Sequence, residues 1–492
     1  MNALKLTSLL ILAFGTQKAG AQISGTAADA KEVISLTSHD GMKKEATPDA
    51  AGKYSIPIKD LKKGVYNLSG VGDLYLEPDY KLVVAKSENG IVFTGKGAVE
   101  NQIIQQAKKP LQRFQSRSGY GLPMSAFLTE PDKFVPMVDE YKSSVDELVN
   151  TSKNKTFIDL VKKDAEYKRI NTLYNYKLFY GMDSSKMDSL KKYLSIPLAQ
   201  RTKDHSALTY KAYQMQFSKK LTEKEKNDLE AIMFTGWDIN NEELFKSSAA
   251  YRDAISNRLN YALQTNKRLR DSLKNDNNMA KLVIAQQSIA NPYIRDHFTY
   301  TYTLSAIKAA KTSESIKDLY QGYLAKNATS KYKEAIETAY NNVVSTQKNA
   351  NAPDFSYANT NGELVTLKSM KGNFVYIDLW ATWCGPCIAE IPALKKVESN
   401  YHGKNIKFVS ISIDVARDKD KWLKFVSDNQ LGGVQLMADN DWNSDFVKKF
   451  GVNSIPRFIL IGPDGKVIDN NAKRPSNPLL QTELDKLMTQ AK

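Results

Sequence analysis

Cys384-Gly385-Pro386-Cys387 holds both cysteines of this 492-residue chain. A thiol reacts as its thiolate, and a helix N-terminus favours ionisation through unpaired backbone N–H groups and the positive end of the helix dipole. The apolar run Phe374-Val375-Tyr376-Ile377-Asp378-Leu379-Trp380 ahead of the pair has the pattern of a buried strand, and a helical pattern follows it. The spacing therefore places Cys384 where a strand ends and a helix begins. Pro386 suits a first helical turn, and Gly385 permits the tight turn that brings two sulfurs within bonding distance. Cys384 is then the exposed nucleophile of a thiol-disulfide exchange, and Cys387, one turn on and facing inward, the thiol that resolves the mixed disulfide. Two rival chemistries use the same residues. A zinc site needs four ligands, and the nearest histidine, His402, repeats no C-x-x-C or H-x-x-x-H spacing. A purely structural disulfide is the other.

The elements that must hold the pair follow from periodicity. Ile406 to Ile413 has the pattern of a second buried strand, Lys419 to Asn429 and Asp441 to Phe450 of helices, and Leu479 to Met488 of a closing helix. Arg457 to Ile461 and Lys466 to Ile468 predict a hairpin across Gly462-Pro463-Asp464-Gly465. Strands alternating with helices imply an α/β sheet. From Gln22 to about Asn101 the runs are short and alternating, as in Tyr54-Ser55-Ile56-Pro57-Ile58, with turn signals between them, and predict a small antiparallel β-sandwich. His39 there stands beside Asp40 in a predicted turn and carries no chemistry. From about Ile103 to Ser345 the period is helical, over 136–150, 155–180, 205–219, 242–265 and 278–311. Breaks fall at Gly119-Tyr120-Gly121-Leu122-Pro123, Ile196-Pro197 and Asn291-Pro292. The aromatics Tyr167, Tyr174, Phe179 and Tyr180 at helical spacing are expected to be packing residues.

Length alone calls for about three domains. The chain starts with Lys5, the apolar run Leu9 to Phe14 and the small residues Ala19-Gly20-Ala21, the order of an export signal cleaved near Ala21. No later stretch is long and apolar enough to span a bilayer, so no stable membrane insertion is expected. The expected domains are 1–21 signal peptide, 22–102 small β-sandwich, 103–347 helical domain and 348–492 the cysteine-bearing domain, with Lys348 to Pro353 as linker. The net charge is +15. Its excess of lysine sits in the helical stretch at helical spacing, as in Lys162-Lys163 and Lys191-Lys192, which is the pattern of a solvated face; no nucleic-acid partner is expected.

The residues around the cysteines carry a resemblance. Asp378-Leu379-Trp380-Ala381-Thr382-Trp383-Cys384-Gly385-Pro386-Cys387 resembles the thioredoxin active-site signature, and Cys387-Ile388-Ala389-Glu390-Ile391-Pro392 resembles the C-x-x-E-x-P continuation of the TlpA/ResA-like periplasmic thiol-disulfide oxidoreductases. The fold class implied is multidomain: a C-terminal α/β thioredoxin fold preceded by a small all-β domain and a mostly helical middle domain. Leu76-Glu77-Pro78-Asp79 and Phe93-Thr94-Gly95 resemble the small domain that precedes such modules in multidomain envelope proteins. By the same resemblance Ser454-Ile455-Pro456 is the cis-proline loop, followed here by Arg457 where the family often has threonine. Trp383, Gly385, Pro386, Ile455 and Pro456 form the implied substrate-binding rim, with Trp383 capping the sulfurs. Asp378 matches the buried carboxylate of thioredoxins and Glu390 the acid of the periplasmic relatives. Either is a candidate to exchange a proton with Cys387, and burial in an apolar strand would raise the pKa of Asp378. The implied activity is reduction of disulfides in envelope proteins, with no metal and no cofactor, and with a membrane electron-transfer partner to keep the pair reduced. An oxidase or isomerase would share every motif, and a scaffold with an inert thioredoxin module remains the alternative from another class.

Overall fold

The computed structural model describes residues 20–27, 32–87, 90–114, 121–186, 205–273, 276–310 and 312–490. The export-signal pattern before Gly20, Gly119-Tyr120 of the first helix break, the Ile196-Pro197 break with Lys191-Lys192, and Lys311 lie outside the described residues. The described chain forms two compact units, one reaching Lys186 and resuming over Met215–Tyr261, the other holding 205–214 and Ala262 onward.

The first unit begins with strands β1 (Gln22–Thr26), β2 (Ile34–Thr37), β3 (Lys43–Ala46), β4 (Lys53–Pro57), β5 (Gly64–Leu68), β6 (Gly72–Leu76), β7 (Lys81–Ser87) and β8 (Gly90–Lys96). They make two four-stranded sheets, ordered β4-β1-β7-β8 and β3-β2-β5-β6. Burial alternates along β4, Tyr54 and Ile56 in and their neighbours out, as a half-buried strand requires. The pairing is not wholly antiparallel, as expected above: β1 and β7 run parallel, because the five strands between them, unlike a hairpin, do not dictate direction. Asn101 on α1 (Ala98–Ala107) is buried and bonds Tyr75 of β6 from both ends of its amide, at 2.9 Å each. Helices α2 (Pro131–Val149) and α3 (Lys155–Phe179) follow. α2 starts five residues ahead of the expected 136, since Pro131 fits the first turn and Pro136 forfeits only one early hydrogen bond. Tyr167, Tyr174 and Tyr180 are core residues, and Phe134 stacks on Tyr176 at 4.0 Å.

In chain order the next helices are α4 (His205–Gln214), α5 (Glu223–Phe234), α6 (Glu242–Ser247), α7 (Ala249–Thr265), α8 (Lys267–Ser272), α9 (Asn277–Ser288), α10 (Pro292–Ala309), α11 (Lys317–Lys326) and α12 (Lys333–Thr346). At the Asn291-Pro292 break, the Asn291 side chain caps α10 by accepting the Ile294 N–H at 3.0 Å. The 348–353 segment is tied down: the Asn349 and Ala352 N–H groups donate to Val467 and Gly465 at 2.8 and 2.9 Å.

The C-terminal sheet has seven strands, ordered β10-β9-β13-β12-β11-β14-β15. These are β9 (Ser356–Asn359), β10 (Leu364–Thr366), β11 (Phe374–Trp380), β12 (Ile406–Ser412), β13 (Val434–Met437), β14 (Arg457–Ile461) and β15 (Val467–Asp469). β11, β12 and β13 run parallel, while β14 is antiparallel to β11. All seven residues of β11 are buried, because helices cover both faces. On one face Phe374 and Tyr376 pack with Leu394 and Val397 of α14 (Ile391–Asn400) and Leu480 of α17 (Leu479–Gln490). On the other, Val375, Ile377 and Leu379 meet Trp422 of α15 (Lys419–Asp428) and Phe446 of α16 (Asp445–Lys449). The helical stretch after the cysteines is two pieces, α13 (Gly385–Ile388) and α14, since Pro392 has no N–H to offer the Ile388 carbonyl. The expected helix from Asp441 is a 3-10 turn at Asp441–Asn443 followed by the short α16. Among the described residues no helix is long and apolar enough to cross a membrane.

Candidate active site

Cys384 caps α13 and Cys387 lies one turn along it, their Cα atoms 5.3 Å apart and their sulfurs joined in a disulfide. The Cys387 N–H donates to Cys384 Sγ at 3.2 Å, a bond that favours negative charge on that sulfur. Cys384 is more sheltered than the exposed nucleophile expected above: it is 5 % exposed, because both sulfurs join the apolar cluster around Trp380 and Ile411. Trp383, Gly385 and Pro386 beside it stand in solvent, Trp383 at 52 % exposure and 6.5 Å from the Trp442 ring. The Ile455–Pro456 peptide is cis, and Ile455 packs on the cluster that holds the cysteines.

The two carboxyls proposed for proton transfer are held differently. Asp378 is buried at the fifth position of β11, opposite Ser410 of β12, and lines a cavity of about 10 Å³ together with Cys387 and Trp380. Its Oδ1 has no hydrogen-bond partner. Burial first, then the negative charge of Glu390 and Glu398, pushes its pKa up to about 8. Glu390 does not line that cavity. Its carboxylate accepts the Ser476 N–H at 3.0 Å and the Ser476 hydroxyl at 2.9 Å, with Arg474 at 3.7 Å, and so ties the start of α14 to the loop after β15.

Two acids escaped the sequence reading. Glu398, on α14, lines the cavity under Cys387, and burial raises its pKa to about 7 against the pull of Lys395. Asp414 follows β12 and is fully buried. It accepts the Thr382 N–H at 2.9 Å, the Thr382 hydroxyl at 2.8 Å and the Ser412 hydroxyl at 2.7 Å. Those bonds fix the Ala381-Thr382-Trp383 approach to Cys384. Asp414→Ala strands three buried donors and is expected to lower stability by about 2–3 kcal/mol. Urea denaturation of the oxidised protein measures this, and an unchanged midpoint would show that the loop needs no such anchor.

Residues 347–486 match the Redoxin family model. The thiol-disulfide oxidoreductase ResA of Bacillus cereus is 28 % identical over 170 residues, 34 % of this chain and 86 % of that protein. Thioredoxin-like protein YneN of Bacillus subtilis is 28 % identical over 143 residues, 29 % of this chain and 81 % of that protein. Among solved structures, a thiol-disulfide oxidoreductase from Bacteroides fragilis is 26 % identical, with a TM-score of 0.25, and the match covers 28 % of this chain and 98 % of that one.

Proposed function

We propose that this chain, whose C-terminal domain belongs to the Redoxin family beside the ResA thiol-disulfide oxidoreductases, reduces disulfides of exported proteins in the cell envelope by cycling Cys384 and Cys387. What carries the reading is one observation. A cysteine pair bonded across a single turn lies against a buried carboxyl with a proton affinity near neutrality. A structural disulfide needs no such neighbour, whereas a thiol that must lose its proton to attack does.

In the reduced protein the Cys384 thiolate attacks one sulfur of a substrate disulfide. A mixed disulfide forms, and the electron pair of the broken bond leaves on the other substrate sulfur. Asp378 in its ionised form then takes the proton of Cys387, which attacks Cys384 Sγ as the thiolate. The second substrate sulfur departs as a thiolate, and Cys384 and Cys387 close as the disulfide, having supplied two electrons. Trp383, Gly385 and Pro386, open to solvent, with Ile455 and Pro456, receive the substrate chain. Asp378 takes the proton role rather than Glu390, whose oxygens are engaged by Ser476. Placement in the envelope is supported by the export pattern of the first 21 residues, and a membrane electron-transfer partner restores the dithiol there.

The direction of electron flow is tested by the equilibrium potential of the pair, titrated against glutathione or dithiothreitol in the full chain. A value near about −270 mV is expected of a reductase. A value near about −120 mV would make the protein an oxidant and overturn the direction.

A further inference from the structure

Asp378 can take a proton from Cys387 only if it can pass that proton on, and it is buried with no hydrogen-bond partner at Oδ1. The cavity it faces has room for about one water molecule. Trp380 Nε1 and Gln435 Oε1, both in its wall, are likewise buried without a partner. The wall thus holds unpartnered polar atoms among the apolar side chains of Ile391, Leu394 and Leu431. Ile391, Leu394, Lys395 and Glu398 reach it from one stripe of α14, at the spacing that puts residues on one helical face. Glu398 ends that stripe and, unlike Asp378, is only partly buried.

Gly432 and Gly433 leave the room that the Glu398 carboxyl occupies. A Cβ at Gly432 would stand 2.7 Å from Glu398 Oε2, and one at Gly433 would stand 3.0 Å from Oε1 and 2.7 Å from the Phe408 carbonyl. Gly433 also has φ +64°, which side chains rarely adopt. The charged groups around this seat are few. Lys395 lies on the same helix face with its ammonium on the Asn429 carbonyl, Glu390 caps the helix, and Asp378 faces it from β11. Ser410 of β12 and Gln435 of β13 add no charge. Burial brings Glu398 to about 7 and Asp378 to about 8, close enough for a proton to pass between them with little free-energy change.

We propose that Glu398 is the proton outlet of the active site, a positioning and relay residue that acts through Asp378; this rests on the reductase cycle proposed above. In the resolving step Asp378 first passes its own proton across the cavity to Glu398 and so to solvent, and its carboxylate then takes the proton of Cys387. The electron pair left on Cys387 forms the new bond to Cys384, and the pair of the broken mixed disulfide leaves with the substrate sulfur.

Glu398→Gln and Glu398→Asp in the full chain test this with insulin as the disulfide probe. Single-turnover release of reduced insulin at pH 7 is expected to slow about tenfold in Glu398→Gln and to recover in Glu398→Asp. Mixed-disulfide formation, measured with each substitution added to Cys387→Ala, should keep its rate. An unchanged release rate and pH profile, or equal slowing of both steps, would overturn the relay. Infrared titration of the protonated carboxyls in the oxidised protein needs no turnover. Glu398→Gln should remove one group titrating near neutrality and move the Asp378 midpoint to lower pH, and an unmoved midpoint refutes the shared cavity. Failure of the unsubstituted protein to reduce insulin would count against the reductase reading alone, and the infrared titration would then decide on Glu398.

Discussion

Cys387→Ala is expected to turn the protein into a covalent trap, and Cys384→Ser to end disulfide exchange altogether. With Cys387 gone, Cys384 still caps α13 and still attacks, but nothing resolves the mixed disulfide it forms. Adducts should accumulate on non-reducing gels of envelope extracts and disappear on adding dithiothreitol. With Cys384 gone, the remaining thiol is sealed below the exposed rim of Trp383, Gly385 and Pro386, at 3 % exposure, and has no path to a protein substrate. Loss of the nucleophile is therefore expected to cut insulin reduction by at least about 1,000-fold. A scaffold with an inert module predicts a different result. Cys387→Ala would then capture nothing beyond what the double-cysteine variant captures, and the enzyme reading would fall with it.

The cysteine site was legible because its signal is local. A continuous apolar run, a C-x-x-C and a proline in the first turn sit within about a dozen residues, and each constrains the same strand-to-helix junction. Asp378 was legible for the same reason, as a lone charge in an apolar strand. Glu398 was not, since in sequence it is one acid among the polar positions of a helix; its carboxyl lies against Gly432 and Gly433, which arrive only after β12 and α15. Asp414 was missed similarly: its function is to bind Thr382, and the pairing exists only once β11 and β12 lie side by side. The hairpin of β9 and β10 did carry a turn signal in Asn361-Gly362, but its strands are too short for period-two alternation to register. Among the helices, Asn291-Pro292 marked a boundary, whereas the break ahead of Pro392 was not read from the sequence, where the helical pattern runs on past it.

Asp378→Asn is expected to separate what this carboxyl does for turnover from what it does to stability. In the folded oxidised protein Asp378 keeps its proton up to about pH 8, whereas in the unfolded chain it ionises near 3.8. Between those values folding takes up a proton. The favourable contribution is thus complete below pH 3.8, erodes by about 1.4 kcal/mol per unit as pH rises, and is lost above pH 8. Asparagine has no proton to gain, so it removes this slope. Measured against the unsubstituted protein, the variant should gain stability steadily from pH 4 to pH 8, by about 5 kcal/mol across the range, in urea titrations of the oxidised form. A gap that stays constant with pH would mean that Asp378 is ionised in the fold. On the cycle proposed above the same change leaves Cys387 without a base, and release of reduced substrate should slow about 100-fold while mixed-disulfide formation by Cys384 keeps its rate. A more stable protein that stalls at the mixed disulfide is the combined signature, because the fold holds at Asp378 a group that stability disfavours near neutral pH and proton transfer requires.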